Sequence, residues 1–420
     1  MELDEIFTRL FDQQEEVLLN LERKDVIQRE IYDSLSYDNY ITGIVGLRGV
    51  GKTTWMLQEV IKNGGKSRKV LYISADNILL ERVSLIELVE YAIKNTQITK
   101  LYIDEIHKYQ NWAQELKNIS DLYSQFRIIF TGSSSIDIVR AKYDLSRRVT
   151  LINLYGLSFR EYLYFDSGIE LPVYSLKEII SKPVEINNDF VKKVRQPLVE
   201  MTKYKELGYY PFFRQFRFVD EALQAVKHSI EKTIYEDIGT IFLYKSQNLL
   251  TIERLLNFII NSSVGELNIT KLAGNLGKDF DTTSNYLQSL QQAGLVIGVY
   301  NSKTGDRFLR NPEKVFPANT VMMNAKKVPM DDDAGRGKFR EVFALSHLKA
   351  IGSEIRHTSH GDFAVDGKYL LEIRGRNKST RQVYQPTLSS KKEGYVFADG
   401  LTSPNLSGKV IPLYLLGLLY

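Results

Sequence analysis

The stretch of this 420-residue chain most able to do chemistry is Gly46-Leu47-Arg48-Gly49-Val50-Gly51-Lys52-Thr53-Thr54. Gly46, Gly51, Lys52 and Thr53 satisfy the G-x-x-x-x-G-K-[ST] spacing of a phosphate-binding loop (Walker A). Glycines there let backbone N–H groups turn inward and cradle phosphate oxygens at a helix N-terminus. On this reading Gly46, Arg48, Gly49, Val50, Gly51, Lys52, Thr53 and Thr54 line a nucleotide site. Lys52 reaches the β- and γ-phosphates, and the Thr53 hydroxyl sits on magnesium (Mg2+). A second acidic site, of Walker B type, is Asp104-Glu105. Asp104 is placed to hold the magnesium and Glu105 to polarise the attacking water. Thr131, at the end of a third apolar run, is a candidate contact to the γ-phosphate or the water. Ser133, Ser134 and Ser135 read as helix caps.

These residues need strand ends to hold them. Tyr40–Val45, Val70–Ser74, Ile98–Ile103 and Arg127–Phe130 are β-rich runs, and Thr54–Ile61 has helical spacing. Strands alternating with helices predict an α/β fold, a parallel sheet with helices on both faces. At roughly 150 residues per domain, the length predicts two or three domains.

Composition narrows the classes further. The chain is 43% hydrophobic and 25% charged, an ordinary globular balance that excludes disorder and fibres. It has no cysteine, which removes a disulfide scaffold, a cysteine-ligated zinc and a cysteine nucleophile together. That fits a reducing, cytoplasmic compartment. MELDEIFTRLFDQQEE has no apolar run and does not read as a signal peptide. The longest apolar stretch, VIPLYLLGLLY, is far short of the roughly 20 residues a membrane span needs, so no membrane partner is expected. A net charge of +4 argues nothing about nucleic acid by itself.

Four segments occur in order: GLRGVGKTT, YIDEIHKYQNWAQELKNI, IIFTGSSS and SRRVTLINLYGLSFREYL. In them the chain resembles the prokaryotic AAA-type ATPases, most of all a group with a C-terminal domain of unknown function. The likeness includes Trp112, seven residues after Glu105, and the run Leu157–Leu163. Gly208–Pro211 is similar to that group's glycine-rich turn, and Ile234–Ile238 to its lid helix. The resemblance implies ATP with Mg2+ in a P-loop NTPase (AAA+ type) core over residues 1–165. It implies a helical lid over 166–245 that closes on the nucleotide. Arg148 takes the position of an arginine that AAA proteins commonly offer to a neighbouring subunit's ATP, which would make a homo-oligomer or another intermolecular contact. A surface ion pair is the alternative. His107 reads as a packing residue.

Residues 246–328 resemble a winged helix-turn-helix, with helices at Ile252–Ile260, Ile269–Gly277 and Thr282–Ala293 and a wing of Leu295–Val299 and Arg307–Leu309. DNA is the expected partner of such a module. Yet Thr282–Gln292 contains no Lys or Arg, and phosphate contacts carry most affinity for DNA. Docking against the ATPase core, or a partner protein, is the alternative.

Met330–Gly337 reads as a linker. Beyond it, residues 334–420 hold 13 Lys/Arg against 7 Asp/Glu, a net of +6. A helix from Phe339 carries Glu341. Asp366-Gly367 between two β-rich runs predicts a hairpin, and period two puts Glu372 and Arg374 on one face. Residues 335–420 resemble the restriction-endonuclease-like PD-(D/E)xK core. That implies metal-binding carboxylates at Asp362 and Glu372, with Glu341 as the helix acid. Arg374 stands where that superfamily has lysine, and an arginine cannot shuttle a proton. His357 and His360 read as surface polar residues. The function expected is an ATPase that moves its C-terminal domains, acting on or near DNA. The alternatives are an ATP-gated DNA nuclease, or a nucleotide-binding signalling module with an inactive nuclease-like domain.

Overall fold

β1 (Ile41–Gly46) is buried at every position, as a central strand covered on both faces must be. It pairs in parallel with β4 (Arg127–Ser133) on one side and β5 (Val149–Asn153) on the other. β3 (Lys100–Asp104) lies beside β4, and β2 (Val70–Ser74) forms the edge. The all-parallel order β2-β3-β4-β1-β5 puts the C-terminal ends of the strands on one rim. Because β4 separates β1 from β3, the ends carrying Gly46, Thr131 and Asp104 are neighbours there. The computed structural model describes residues 2–24, 26–29, 40–133, 148–262, 268–301, 311–328, 333–376, 393–405 and 407–420. They form two units, Met1–Tyr155 and Gly156–Tyr420.

In the first unit, helix α1 (Leu3–Glu22) buries Ile6, Phe7, Leu10, Phe11, Gln14 and Leu18, a stripe at helical spacing. Gln14 finishes the exposed edge of the sheet. Its Oε1 accepts from the Tyr72 N–H at 2.6 Å, and its Nε2 donates to the carbonyls of Gly65 and Val70 at 2.9 and 3.3 Å. A side-chain amide thus supplies the hydrogen bonds that an edge strand lacks. Helices α2 (Lys52–Lys62), α3 (Leu85–Asn95) and α4 (Trp112–Leu122) follow their strands. Leu88, Leu116 and Ile119 join Leu71, Leu101, Ile103, Ile128 and Phe130 in the core.

The second unit opens with α5 (Phe159–Ser167), started by a reciprocal cap between Ser158 and Glu161 and stopped at Gly168, whose φ is 68°. The LSF run has a structural job here. Ser158 Oγ and Arg160 Nε both donate to the Tyr420 backbone oxygen, at 2.5 and 3.1 Å. The 3₁₀ helix Leu413–Leu418 is buried throughout, so the apolar stretch noted in the sequence is core. α6 (Leu176–Ser181), α7 (Pro183–Lys193), α8 (Pro197–Lys203), α9 (Val219–Lys232) and α10 (Gly239–Phe242) make the region expected to be helical.

Next come α11 (Ser246–Asn261), α12 (Ile269–Leu276) and α13 (Phe280–Gln292), then β6 (Val296–Asn301). The described strand that returns on β6 is β7 (Lys314–Pro317); the expected Arg307–Leu309 lies outside the described residues. Asp279 accepts from the Thr282 N–H at 2.7 Å, so the acid ahead of α13 is its cap. After α14 (Thr320–Ala325), α15 runs Asp333–Ala350. It begins inside the stretch expected as a linker; Met330–Asp332 lie outside the described residues. Two helical glycines cost about 1 kcal/mol each. Burial of Phe339, Val342, Phe343 and Leu345 outweighs that.

β8 (Ile355–His357), β9 (Phe363–Val365), β10 (Tyr369–Gly375), β11 (Glu393–Asp399) and β12 (Val410–Pro412) complete a seven-stranded mixed sheet, β12-β11-β10-β9-β8-β6-β7. β6 joins β8 in parallel through Tyr300 opposite Arg356 and Asn301 opposite His357. Residues 246–328 and 335–420 therefore share one sheet. The buried Lys338 ties them again: its ammonium donates to the carbonyls of Ile259, Ile260 and Ser262 at the end of α11. Burial pushes that ammonium down to about 8.

Candidate active site

The phosphate loop joins the buried end of β1 to α2. Gly49 and Gly51 have φ of 86° and 100°, which L side chains rarely adopt. Gly46 is fixed by closeness instead, since a β-carbon there would collide with the Leu154 carbonyl. Gly51 is the N-cap of α2, no side chain caps it, and the first turn has no acidic residue. Its leading N–H groups are thus open to an anion, favoured by the helix dipole. Lys52 is 9% exposed, and its ammonium donates to the carbonyls of Gly46 and Leu47 at 2.8 and 2.9 Å.

Arg29, which the sequence did not single out, supports this loop. It is 1% exposed and donates to the carbonyls of Val50 (3.3 Å) and Tyr155 (2.8 Å). No local pattern marks it, because its partners lie 21 and 126 residues away.

Asp104 sits at the end of β3, 5% exposed. Burial pushes its carboxyl above the usual range, opposed by hydrogen bonds from the Thr131 and Thr53 hydroxyls and by the charge of Lys52. Tyr72 also donates to Asp104 Oδ2, at 3.4 Å. Thr131 is fully buried; its hydroxyl donates to Asp104 Oδ1 and accepts from the Glu105 N–H at 3.0 Å. It therefore positions both acids. Ser133 ends β4, while Ser134 and Ser135 lie outside the described residues.

Glu105 adopts φ 53° and ψ 47°, a left-handed conformation seldom held without glycine. Its carboxylate pairs with Lys108, which also reaches Asp76 at 2.9 Å. Burial raises the Glu105 carboxyl, but Lys108, Arg48 and His107 outweigh it, so it stays ionised below the usual range. Lys108, three residues on, was the one partner a short-range spacing argument could have found.

A buried carboxylate bridged to two hydroxyls, beside a lysine and an open helix N-terminus, fits a magnesium-bound triphosphate. Arg148 lies apart from these residues within the unit, with Nε and Nη2 both 2.8 Å from Asp121 Oδ1. Arg147 is outside the described residues.

In the second unit, Asp362 accepts from the Ile373 N–H at 2.7 Å. Glu372 and Arg374 share one face of β10 by alternation. Glu341 does not join them. It lies 4.0 Å from Lys314, and strand register carries Lys314 through Val299, Asn301, His357, Phe363 and Leu371 to the other face. Among the described residues, no group of three or more His, Asp or Glu is arranged to hold a metal. No described helix is long and apolar enough to cross a membrane.

Residues 38–163 match the family described as an AAA domain, and residues 199–329 match a domain of unknown function, DUF8612. An uncharacterized protein of Methanocaldococcus jannaschii, MJ1637, is 26% identical over 386 residues, covering 85% of this chain and 80% of that one. Among solved structures, AMPPCP-bound DnaA from Aquifex aeolicus is 17% identical, with a TM-score of 0.24 over 65% of this chain and 90% of that one. PCH-2 of C. elegans is 16% identical, with a TM-score of 0.25 over 48% and 58%. Scores this low do not establish a shared fold. The parallel sheet and its phosphate loop give the first unit the α/β fold of a P-loop NTPase, and residues 38–163 of it are similar to the AAA domain family.

Proposed function

We propose that the chain binds ATP with magnesium at the rim of the first sheet and hydrolyses it. The observation that carries this is the convergence of Thr53 and Thr131 on the buried carboxylate of Asp104, with Lys52 beside it. Thr53 and Asp104 would hold magnesium, which neutralises charge on the phosphate oxygens. The loop N–H groups at Gly49–Thr54 bind and orient the phosphates. Lys52 leaves the Gly46 and Leu47 carbonyls for the β- and γ-phosphates, a move of one flexible side chain. Glu105, held ionised by Lys108, accepts a hydrogen bond from water and aims its lone pair at the γ-phosphorus. Arg148, released from Asp121, is the residue a neighbouring copy would contribute.

Lys52→Ala should abolish turnover, and Glu105→Gln should bind ATP while hydrolysing it far more slowly. Turnover at the normal rate by both proteins would defeat the proposal. For the second unit, our reading is that turnover repositions it on or near DNA. Asn285, Gln288 and Gln292 of α13 can read bases, though Gln291 is taken up by the Tyr300 hydroxyl and α13 brings no cation. ATPase rates measured with and without single- and double-stranded DNA test this; unchanged rates would count against it.

A further inference from the structure

The phosphate loop and its strand are tied at three points to the two residues by which the chain leaves the first sheet. The Leu154 N–H continues the β1–β5 ladder onto the Val45 carbonyl, at 2.7 Å. The Leu154 carbonyl lies so close to Gly46 that no methyl fits between them. Arg29 makes the third tie. Its Nη1 donates to the carbonyl of Val50, inside the loop, at 3.3 Å and to that of Tyr155 at 2.8 Å. Tyr155 is the last residue of the first unit, and Gly156 is the first of the second.

A trans peptide points its C=O and the following N–H in opposite directions. By holding the Val50 carbonyl, Arg29 therefore fixes where the Gly51 N–H points. Gly51, with φ 100° and no side chain, has no steric means of its own to fix that peptide. Arg29 is 1% exposed, so water does not compete for these bonds. Lys52 holds the Gly46 and Leu47 carbonyls at 2.8 and 2.9 Å and gives them up on reaching for phosphates. The base of the loop then resettles. Leu154, packed on Gly46, and Tyr155, tethered through Arg29, resettle with it.

We propose that Arg29 is a positioning residue with two effects: it presents the Gly51 N–H to the nucleotide phosphates, and it makes the Leu154–Tyr155 connector respond to their binding. This rests on the reading that the loop binds ATP, and it names the route by which occupancy reaches the chain's exit from the first sheet.

The test uses the full chain with magnesium and either ATP or AMPPCP. Arg29→Met should raise the KM for ATP about tenfold while kcat stays within about twofold. Both bonds leave one nitrogen, so the ammonium of Arg29→Lys can make them and should restore the KM. Hydrogen exchange reads the connector directly. In the wild type, saturating AMPPCP should slow exchange of the Leu154 amide about tenfold more than that of amides in α3. Arg29→Met at saturating AMPPCP should lose that difference, and Arg29→Lys should keep it. An unchanged KM in Arg29→Met, or a lysine variant as impaired as the methionine one, overturns the proposal. So does a wild-type connector that AMPPCP protects no more than α3, a result that stands even if Arg29→Met does not fold. Binding of AMPPCP with such a silent connector overturns this inference alone; no binding by the wild type overturns the proposed function and this inference with it.

Discussion

Replacing Glu105 by glycine separates two roles that this residue combines. Its left-handed backbone, φ 53° and ψ 47°, costs about 1–2 kcal/mol for any residue with a β-carbon. Its ion pair with Lys108 is 29% exposed on the glutamate side and contributes at most about 1 kcal/mol. Glu105→Gly and Glu105→Ala both lose that pair, so the difference between them isolates the backbone. Glycine gains about 1–2 kcal/mol from relieved strain and loses about 0.5–1 kcal/mol to the freer unfolded chain. With both terms at their lower or both at their upper ends, the net is about 0.5–1 kcal/mol in favour of glycine. For a unit spanning Met1–Tyr155, that is about 1–4 °C in melting temperature. The assay is built in, because both tryptophans, Trp55 and Trp112, lie in this unit and their fluorescence follows its unfolding. Both variants should hydrolyse ATP about 10²–10⁴-fold more slowly. An alanine variant as stable as the glycine variant would refute the strain argument. A glycine variant with normal turnover would remove Glu105 from the chemistry.

Three further outcomes follow from the titrating groups. The Asp104 carboxyl is raised, so its ionisation at neutral pH opposes folding; Asp104→Asn should melt higher at pH 7 in a thermal scan while losing turnover. The Glu105 carboxyl is raised by burial but lowered more by Lys108, so its stabilisation is present above the ordinary carboxylate range and lost as pH falls through the lowered value. Lys108→Met should therefore move the acid limb of the ATPase pH profile upward; an unmoved limb would free Glu105 from Lys108. Burial takes His347 down to about 4, with Nδ1 donating to the Phe343 carbonyl and Nε2 accepting from the Phe159 N–H. Acidifying from pH 6.5 to 4 should then cost the second unit about 3 kcal/mol, and denaturant melts of His347→Gln should lack that slope.

The candidate nucleotide site was legible because its signals are local. A glycine spacing, a β-rich run ending in two acids and a hydroxyl after a third strand each announce themselves within ten residues. Thr131 was visible as a candidate, but its role of bracing Asp104 and the Glu105 N–H depends on β4 lying beside β3, which no spacing reveals. Gln14 and Arg29 were illegible for the same reason: each is a polar residue buried by partners far along the chain. The LSF run could be seen as a motif, yet its work is to seat Tyr420, 262 residues away. Helical spacing placed Glu341 on a helix but could not say which sheet face that helix covers. The glycines near Gly335 suggested a break because propensity was read without the buried Phe339–Leu345 face that overrides it.

The strand seam between β6 and β8 is only two residue pairs wide, but Lys338 clamps it from the helical side. Neighbouring strands cannot slide past one another without tearing that ladder. Through β6, on which α13 packs, α13 and β10 belong to one continuous sheet-bearing body. Whatever these two surfaces grip, they turn together, like two teeth cut into one key.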